Sequence, residues 1–264
     1  MSQVTASLVK ELRDLTGAGM MDCKRALEEA GGDLEQAQRL LREKGMAAAT
    51  KRAGRETTEG VVLARAADGR GTIVAIGCET EPVSANDEFR DFAQHVLDVV
   101  EVEGPEAAES LDSERVALVA RIGENVTVRG AARFVSDNGE IVAAYVHPPA
   151  RKIGVLVRAK ATPELARLVA MHISFANPRY VTRDEVPESE VAAERELYEK
   201  LPEVASKPEA IRAKIIEGML AKRFFAEIVL ADQPWIHEDS LTVGEALAEH
   251  GAEVVDFVRY ALAE

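Results

Sequence analysis

The amino-acid sequence predicts an α+β protein, and three features of its 264 residues carry that prediction. Three short amphipathic segments separated by glycines fill the chain before residue 45. A strand–turn–strand–helix order then occurs twice. A long helical stretch, 187–229, follows the second copy and is interrupted by proline. The expected architecture is a small three-helix amino-terminal domain with its linker (1–54), then a first α+β core subdomain (55–138). A second, similar subdomain is built from 139–186 and 230–264, and 187–229 forms a projecting helical hairpin.

Leu8, Val9, Leu12 and Leu15 recur at helical spacing and predict a helix over 5–15. Gly17 and Gly19 permit a sharp turn. A second helix over 20–30 buries Cys23, Ala26, Leu27 and Ala30. Gly31-Gly32 ends it, and Asp33 is placed to cap a third helix, with Gln36 three residues on. Leu34, Ala37, Leu40 and Leu41 form the apolar face of that helix. Residues 45–57 are Ala-rich and basic and read as a linker or a trailing helix.

Val61, Val62 and Leu63 form a strand, Asp68-Gly69-Arg70-Gly71 a turn, and Ile73 to Ile76 the return strand. A helix over 87–100 places Phe89, Phe92, Ala93, Val96, Leu97 and Val100 on one face. Downstream, strands Ile141 to Val146 and Ile153 to Val157 are joined by His147-Pro148-Pro149-Ala150-Arg151, and a helix covers 163–175. This approximate duplication predicts two subdomains with helices packed on antiparallel sheets. Segment 98–114 carries seven acidic residues and no basic one, so it reads as a solvated loop and helix edge. Breaks at Leu201-Pro202 and Ser206-Lys207-Pro208 divide 187–229 into two antiparallel helices. A helix at 242–249 and a strand from Val254 to Leu262 complete the chain.

Composition narrows the function. The chain is 47% hydrophobic and 30% charged, as in an ordinary globular protein. Its net charge of −14 argues against a nucleic-acid backbone as the main partner. Residues 1–57 carry ten basic against nine acidic groups; the rest of the chain carries 22 against 37. Two distant cysteines, Cys23 and Cys78, fit a reducing compartment and give no disulfide or metal framework. Neither a secretory signal nor a membrane-spanning run is visible, so a cytoplasmic location with no membrane contact is expected. The five histidines are scattered and phosphate-loop spacing is missing, so no cofactor, metal or catalytic cluster is expected. His237-Glu238-Asp239 are neighbours that seldom converge on a metal.

Met20 and Met21 stand side by side after the Gly17-Ala18-Gly19 turn. Adjacent helix residues point about 100° apart, so both rarely bury in one small core. Two readings stand on the residues alone: both pack the core, or one or both meet a partner, for which methionine's adaptable chain is suited.

The run from Leu12 to Leu27 resembles the amino-terminal signature of the elongation factor Ts family, the nucleotide exchange factors of elongation factor Tu. Similarity continues at Cys78-Glu79-Thr80, Arg121-Ile122-Gly123-Glu124-Asn125, Ile153 to Val157, Ala170-Met171-His172, Gln233-Pro234-Trp235 and Thr242 to Glu245, in family order. The three short helices resemble a ubiquitin-associated-like fold. The resemblance implies a coiled-coil protrusion at 187–229, where the match runs from Lys207-Pro208 to Gly218. It implies elongation factor Tu as partner and guanine nucleotide exchange without chemical catalysis as activity.

It also implies contact residues. Met20 and Met21 would hold the partner's G domain, with Arg13 as a register contact worth about 0–1 kcal/mol. The loop Thr80-Glu81-Pro82-Val83 would disturb the magnesium and phosphate region, and His147 would grip a second face. The usual family sequence has Asp-Phe where this chain has Glu81-Pro82, so the charge is kept and the aromatic wedge is replaced by a smaller one. The competing readings are that Pro82 only stops a strand and His147 is an ordinary surface residue. At the level of the whole chain, the rivals are an adaptor that binds elongation factor Tu with weak or no exchange activity, and an enzyme using the acidic body. Self-association through the helical hairpin stays open.

Overall fold

The computed structural model describes residues 4–137 and 139–262. Thr5 caps helix α1 (Ala6–Thr16) by accepting the Leu8 N–H at 3.3 Å, and Val9 and Leu12 turn inward. Helix α2 (Met20–Glu29) sets Cys23, Ala26 and Leu27 against them. Asp33 accepts the Gln36 N–H at 2.8 Å and starts α3 (Leu34–Arg52), as its position in the sequence predicts.

One expectation for this head needs correction. Leu15 is not part of the apolar face; it is 57% exposed at the end of α1. Of the two readings of residues 45–57, the trailing helix holds as far as Arg52, because α3 runs unbroken to that residue. Gly45, normally unfavourable inside a helix, is where a neighbour approaches: a Cβ there would stand 3.1 Å from the Ala120 Cβ.

Strands β1 (Glu59–Ala67) and β2 (Arg70–Cys78) form the first predicted hairpin, with Ala67 opposite Arg70. A helical turn, α4 (Glu81–Ser84), and helix α5 (Asp87–Glu103) follow. The chain then departs from the sequence reading. Residues 105–111 form a 3-10 helix, and two unforeseen elements come next, α6 (Asp112–Ile122) and β3 (Val126–Val135). The acidic residues that suggested a solvated loop include Asp112 and Glu114, which complement the positive end of α6. Further along α6, Leu118 and Val119 are buried in the first core. β3 pairs with β2, so the sheet order is β1-β2-β3.

The second unit repeats the plan. β4 (Ile141–Val146), β5 (Ile153–Lys160) and β6 (Glu253–Ala261) form an antiparallel sheet in that order, and helix α7 (Pro163–Ala176) packs on it. Phe89, Phe92, Val96 and Val100 of α5 cover Val61, Val74 and Ile76 on one face of the first sheet. Val169, Ala170 and Ile173 of α7 cover Val155 and Val157 of the second. The opposite faces meet each other, with Val62, Ile73 and Ala75 against Leu156 and Leu262. Four layers result, helix–sheet–sheet–helix, and β2 is buried from Gly71 to Cys78 because both of its faces are covered.

Glycine permits this contact. A Cβ at Gly154 would overlap the Val62 side chain and stand 3.2 Å from Ile73 Cδ1; one at Gly71 would stand 2.7 Å from Leu156 Cδ1. The Val62 N–H donates to the Arg151 carbonyl at 2.7 Å, and Lys152 pairs with Glu59 at 2.6 Å along the same seam.

The helical stretch breaks at both predicted prolines, into α8 (Glu188–Glu199), the short α9 (Pro202–Ala205) and α10 (Glu209–Met219). Tyr198, Val204, Ile216, Met219 and Leu220 close its own small core. A π-helical turn, Leu220–Phe225, leads into α11 (Ala226–Ile228). Thr242 and Glu245 then form a full capping box at the start of α12 (Val243–Glu249). Among the described residues, no helix is long and apolar enough to cross a membrane.

His172, on α7, is fully buried. Its Nε2 lies 2.9 Å from Gln233 Oε1, and its Nδ1 receives the Ile236 N–H at 3.4 Å, so the proton sits on Nε2. Gln233 in turn donates to the carbonyls of Ala176 and Glu227. Burial depresses the His172 pKa, His237 adds to that, and the Gln233 bond only partly opposes it.

Two predictions follow from these contacts. Gly154→Ala should overpack the seam and cost about 1–3 kcal/mol, read as a lower urea midpoint at unchanged slope. His172 titrates near 6.5 when unfolded and lower when folded, so its neutral form stabilises the fold fully above about pH 6.5. That contribution is lost as pH falls towards the folded pKa. The urea midpoint of the natural protein should therefore fall relative to that of His172→Gln between pH 7.5 and 5; parallel curves would acquit His172.

Candidate functional site

The head core is complete with Val9, Leu12, Cys23, Ala26, Leu27 and Ala37. Met20 and Met21 are left at the surface, 56% and 62% exposed, with Leu15 nearby in the chain on the other side of the glycine turn. The core-packing reading of the two methionines therefore fails. Arg13 is exposed beside the buried Leu12, and its carbonyl accepts the Gly17 N–H at 2.8 Å to close the helix. Cys23 is a buried thiol, 3.5 Å from the Ala18 carbonyl.

Arg121 joins this head to the core. A Cβ at Gly17 would lie 2.6 Å from Arg121 Cδ, so the arginine stem lies against the glycine turn. Its Nε meets Glu88 Oε2, at the start of α5, at 2.6 Å. A groove of about 820 Å³ runs between head and core, lined among others by Leu15, Leu41, Met46, Val116 and Arg121.

Glu88 lies just beyond the predicted contact segment. Thr80, Glu81 and Pro82 are exposed, and Val83 is partly buried against the α5 core. The segment is a helical turn rather than an open loop. Pro82 sits in the first turn of α4, where its fixed φ suits the helix. Strand β2 has already ended at Cys78, so Pro82 does not serve to stop it.

The turn is clasped from across the fold. Glu124 accepts the Thr80 N–H at Oε2 (3.0 Å) and the Thr80 hydroxyl at Oε1 (2.6 Å). Glu79 accepts the Asn125 N–H at 2.6 Å and pairs with Arg55 at 3.0 Å. Desolvation opposes ionisation of Glu79, but the Asn125 N–H and Arg55 outweigh it and hold the carboxyl below its usual range. Asn125 is buried and donates through Nδ2 to the Arg55 carbonyl at 2.9 Å. Burial, reinforced by the charge of Glu124, pushes the Cys78 thiol up to about 12, and that thiol donates to the Thr80 carbonyl at 3.3 Å. Two sequence landmarks, Cys78-Glu79-Thr80 and Gly123-Glu124-Asn125, thus form one structural unit. Sequence reasoning assigned no role to Glu124 or Arg121, because nothing local marks a pairing across more than 30 residues.

His147 stands apart from this cluster, at the end of β4 on the second sheet. It is exposed, with Nδ1 3.0 Å from the Tyr145 hydroxyl. Its N–H donates to the Ile153 carbonyl at 2.9 Å, and its carbonyl accepts the Arg151 N–H at 3.1 Å. The Val62–Arg151 bond ties this turn to β1. Among the described residues, no group of three or more His, Cys, Asp or Glu converges to hold a metal ion.

Exposure makes a direct prediction. Met20→Ala combined with Met21→Ala should leave stability within about 0.5 kcal/mol per site, as for ordinary surface substitutions. Urea unfolding checks this, and a loss of several kcal/mol would return both residues to the core.

The family profile described as Elongation factor TS matches residues 79–264. Relatives named Elongation factor Ts align along the whole chain. That of Pasteurella multocida strain Pm70 is 41% identical over 269 residues, covering 100% of this chain and 93% of its own length. That of Ectopseudomonas mendocina strain ymp is 42% identical over 271 residues, covering 100% and 92%. That of Escherichia coli O139:H28 is 40% identical over 271 residues, covering 100% and 93%. Matched through its core by the profile and along its length by these relatives, the chain belongs to the elongation factor Ts family of translation elongation factors.

Proposed function

We propose that this protein promotes GDP release from elongation factor Tu, and hence nucleotide exchange on it, by binding the nucleotide-free form and disturbing its magnesium and phosphate site. It performs no chemistry of its own and acts in the cytoplasm without direct contact to nucleic acid. Family membership supports the partner. The observation that carries the mechanism is the helical turn at 81–84: it presents Glu81 and Pro82 to solvent yet is clasped at Thr80 by Glu124.

Exchange requires only differential binding. The factor weakens nucleotide binding by the same ratio that nucleotide weakens factor binding. Typical couplings of about 1–3 kcal/mol correspond to about 5–150-fold, so a strong exchange factor needs more than one contact. In this reading, Arg13, Met20 and Met21 hold the G domain, Thr80 to Val83 act on the nucleotide site, and His147 engages a second face. The exposed methionines supply apolar area in the head, whose charge is close to neutral beside an acidic body. Pro82 gives the turn stiffness where the usual family sequence has an aromatic ring.

Stopped-flow release of a fluorescent GDP analogue from elongation factor Tu tests the reading. Dose-dependent acceleration at substoichiometric protein is expected; binding without acceleration would mean an adaptor. Met20→Ala with Met21→Ala should weaken binding about tenfold or more, an anchor-sized loss of about 1.4 kcal/mol. Replacing Glu81-Pro82 by Ala-Ala should slow release about 5–30-fold, the effect of one or two kcal/mol, with a smaller effect on binding. Equal effects on rate and binding would remove the specific role of this turn.

A further inference from the structure

We propose that Glu124 is a positioning residue for nucleotide release: through Thr80 it fixes the direction in which Glu81 and Pro82 project. This rests on the exchange function proposed above.

The geometry is unusual for a helix start. Thr80 occupies the N-cap position of α4, where a threonine hydroxyl ordinarily accepts an N–H of the following turn. Here the hydroxyl makes no such bond. It donates instead to Glu124 Oε1, while the Thr80 N–H donates to Oε2, so both donors of the residue are held by one carboxylate. A helix of four residues has no stability of its own, because nucleation fixes several dihedrals for each bond gained. Within α4 the Val83 and Ser84 N–H groups reach the Thr80 carbonyl only at 3.2 and 3.3 Å. The orientation of the turn therefore comes from outside it.

Glu124 is itself well anchored. Gly123 ends α6 at φ 82°, a left-handed conformation that reverses the chain. Asn125, the next residue, is buried and bound to Glu79 and to the Arg55 carbonyl. The result is a reciprocal clasp: Glu79 takes the N–H of the residue after Glu124, and Glu124 takes the N–H of the residue after Glu79. The clasp connects the end of β2, the α6–β3 turn and the segment before β1, and it is rooted in the core through the buried Cys78 and Asn125. Docking by Met20 and Met21 lies on a separate element. Loosening the clasp should therefore affect the rate at which the nucleotide site opens more than the affinity of the complex.

The test uses the full chain with Glu124→Ala and Glu124→Gln. GDP release from elongation factor Tu, titrated with each, gives a maximal rate and a half-saturating concentration; amide hydrogen exchange on the free protein reports the turn itself. Glu124→Ala should lower the maximal rate about 10–100-fold, as expected for loss of positioning, with little change in half-saturation. Glu124→Gln, which keeps one acceptor oxygen, should recover part of the rate. Amide exchange should quicken from Thr80 to Ser84 and stay unchanged in β2 and α5. A natural rate in Glu124→Ala, an equal loss of rate and affinity, or unchanged exchange at Thr80 to Ser84 would each overturn the proposal. Were Glu124→Ala to unfold, Thr80→Val, which removes only the hydroxyl donor, should show the same split at smaller size, and its absence would overturn the proposal. If the natural protein itself fails to accelerate release, the exchange function falls; the amide exchange then reports separately whether Glu124 holds the turn.

Discussion

Two sheets can press together only where side chains leave room, and the rest of this structure depends on the glycines that leave it. Gly154 admits Val62 and Ile73, Gly71 admits Leu156, and Gly130 faces the Tyr260 ring at a distance a Cβ could not tolerate. With the sheets in contact, each inner face is buried without a helix, and α5 and α7 are free to cover the outer faces. The seam also fixes the relation between the two halves of the candidate surface. The 147–151 turn is bonded to β1, and β1 is paired with β2, which leads directly into the Thr80 segment.

Beyond Cys78, where the first sheet ends, polar contacts take over the work of packing. Thr80, Glu81 and Pro82 are exposed and Val83 is only partly buried, so apolar burial holds one edge of this segment; carboxylates and backbone N–H groups hold the rest. Charge-assisted bonds of this kind are shorter and stronger than neutral ones, and the two carboxylates hold one another's loops. Arg121 extends the arrangement to the head, with its stem against Gly17 and its guanidinium on Glu88. A single side chain thus connects the glycine turn that precedes the methionines with the start of the helix that follows the Glu81-Pro82 turn. The proposed mechanism needs such rigidity, because a contact that yields cannot transmit strain to a partner.

The exposed methionines and the altered dipeptide bear on the same balance. Met20 and Met21 offer adaptable apolar contact from a head whose own core is closed without them. In the proposed mechanism Glu81-Pro82 offers a charge and a stiff, small wedge. Separate elements carry separate duties in the proposed mechanism, which is why binding and release are expected to respond differently to changes in each.

Local pattern alone determined much of this protein. The three head helices, the Asp33 cap, both hairpins, α5, α7 and the two proline breaks follow from periodicity, capping and turn chemistry, whose physics spans only a few residues. The ordered landmarks placed the family by the same local reading. What tertiary structure decided is what depends on distant neighbours. The start of α6 was hidden because the acidic run that ends at Glu114 looks solvated until the head helix α3 and the first core are there to bury Leu118 and Val119; β3 carries Arg129, Gly130 and Arg133 among its apolar residues, and its strand shows only in its pairing with β2. Residues 45–57 allowed a linker or a trailing helix, and the close approach of Ala120 to Gly45 belongs to the second. Leu15 was placed on the apolar face and the two methionines were left between core and partner, since exposure depends on how many apolar groups the small head core can hold. The pairing of Glu124 with Thr80 could not be read at all, because a hydrogen bond between residues 44 positions apart leaves no periodic trace in the sequence.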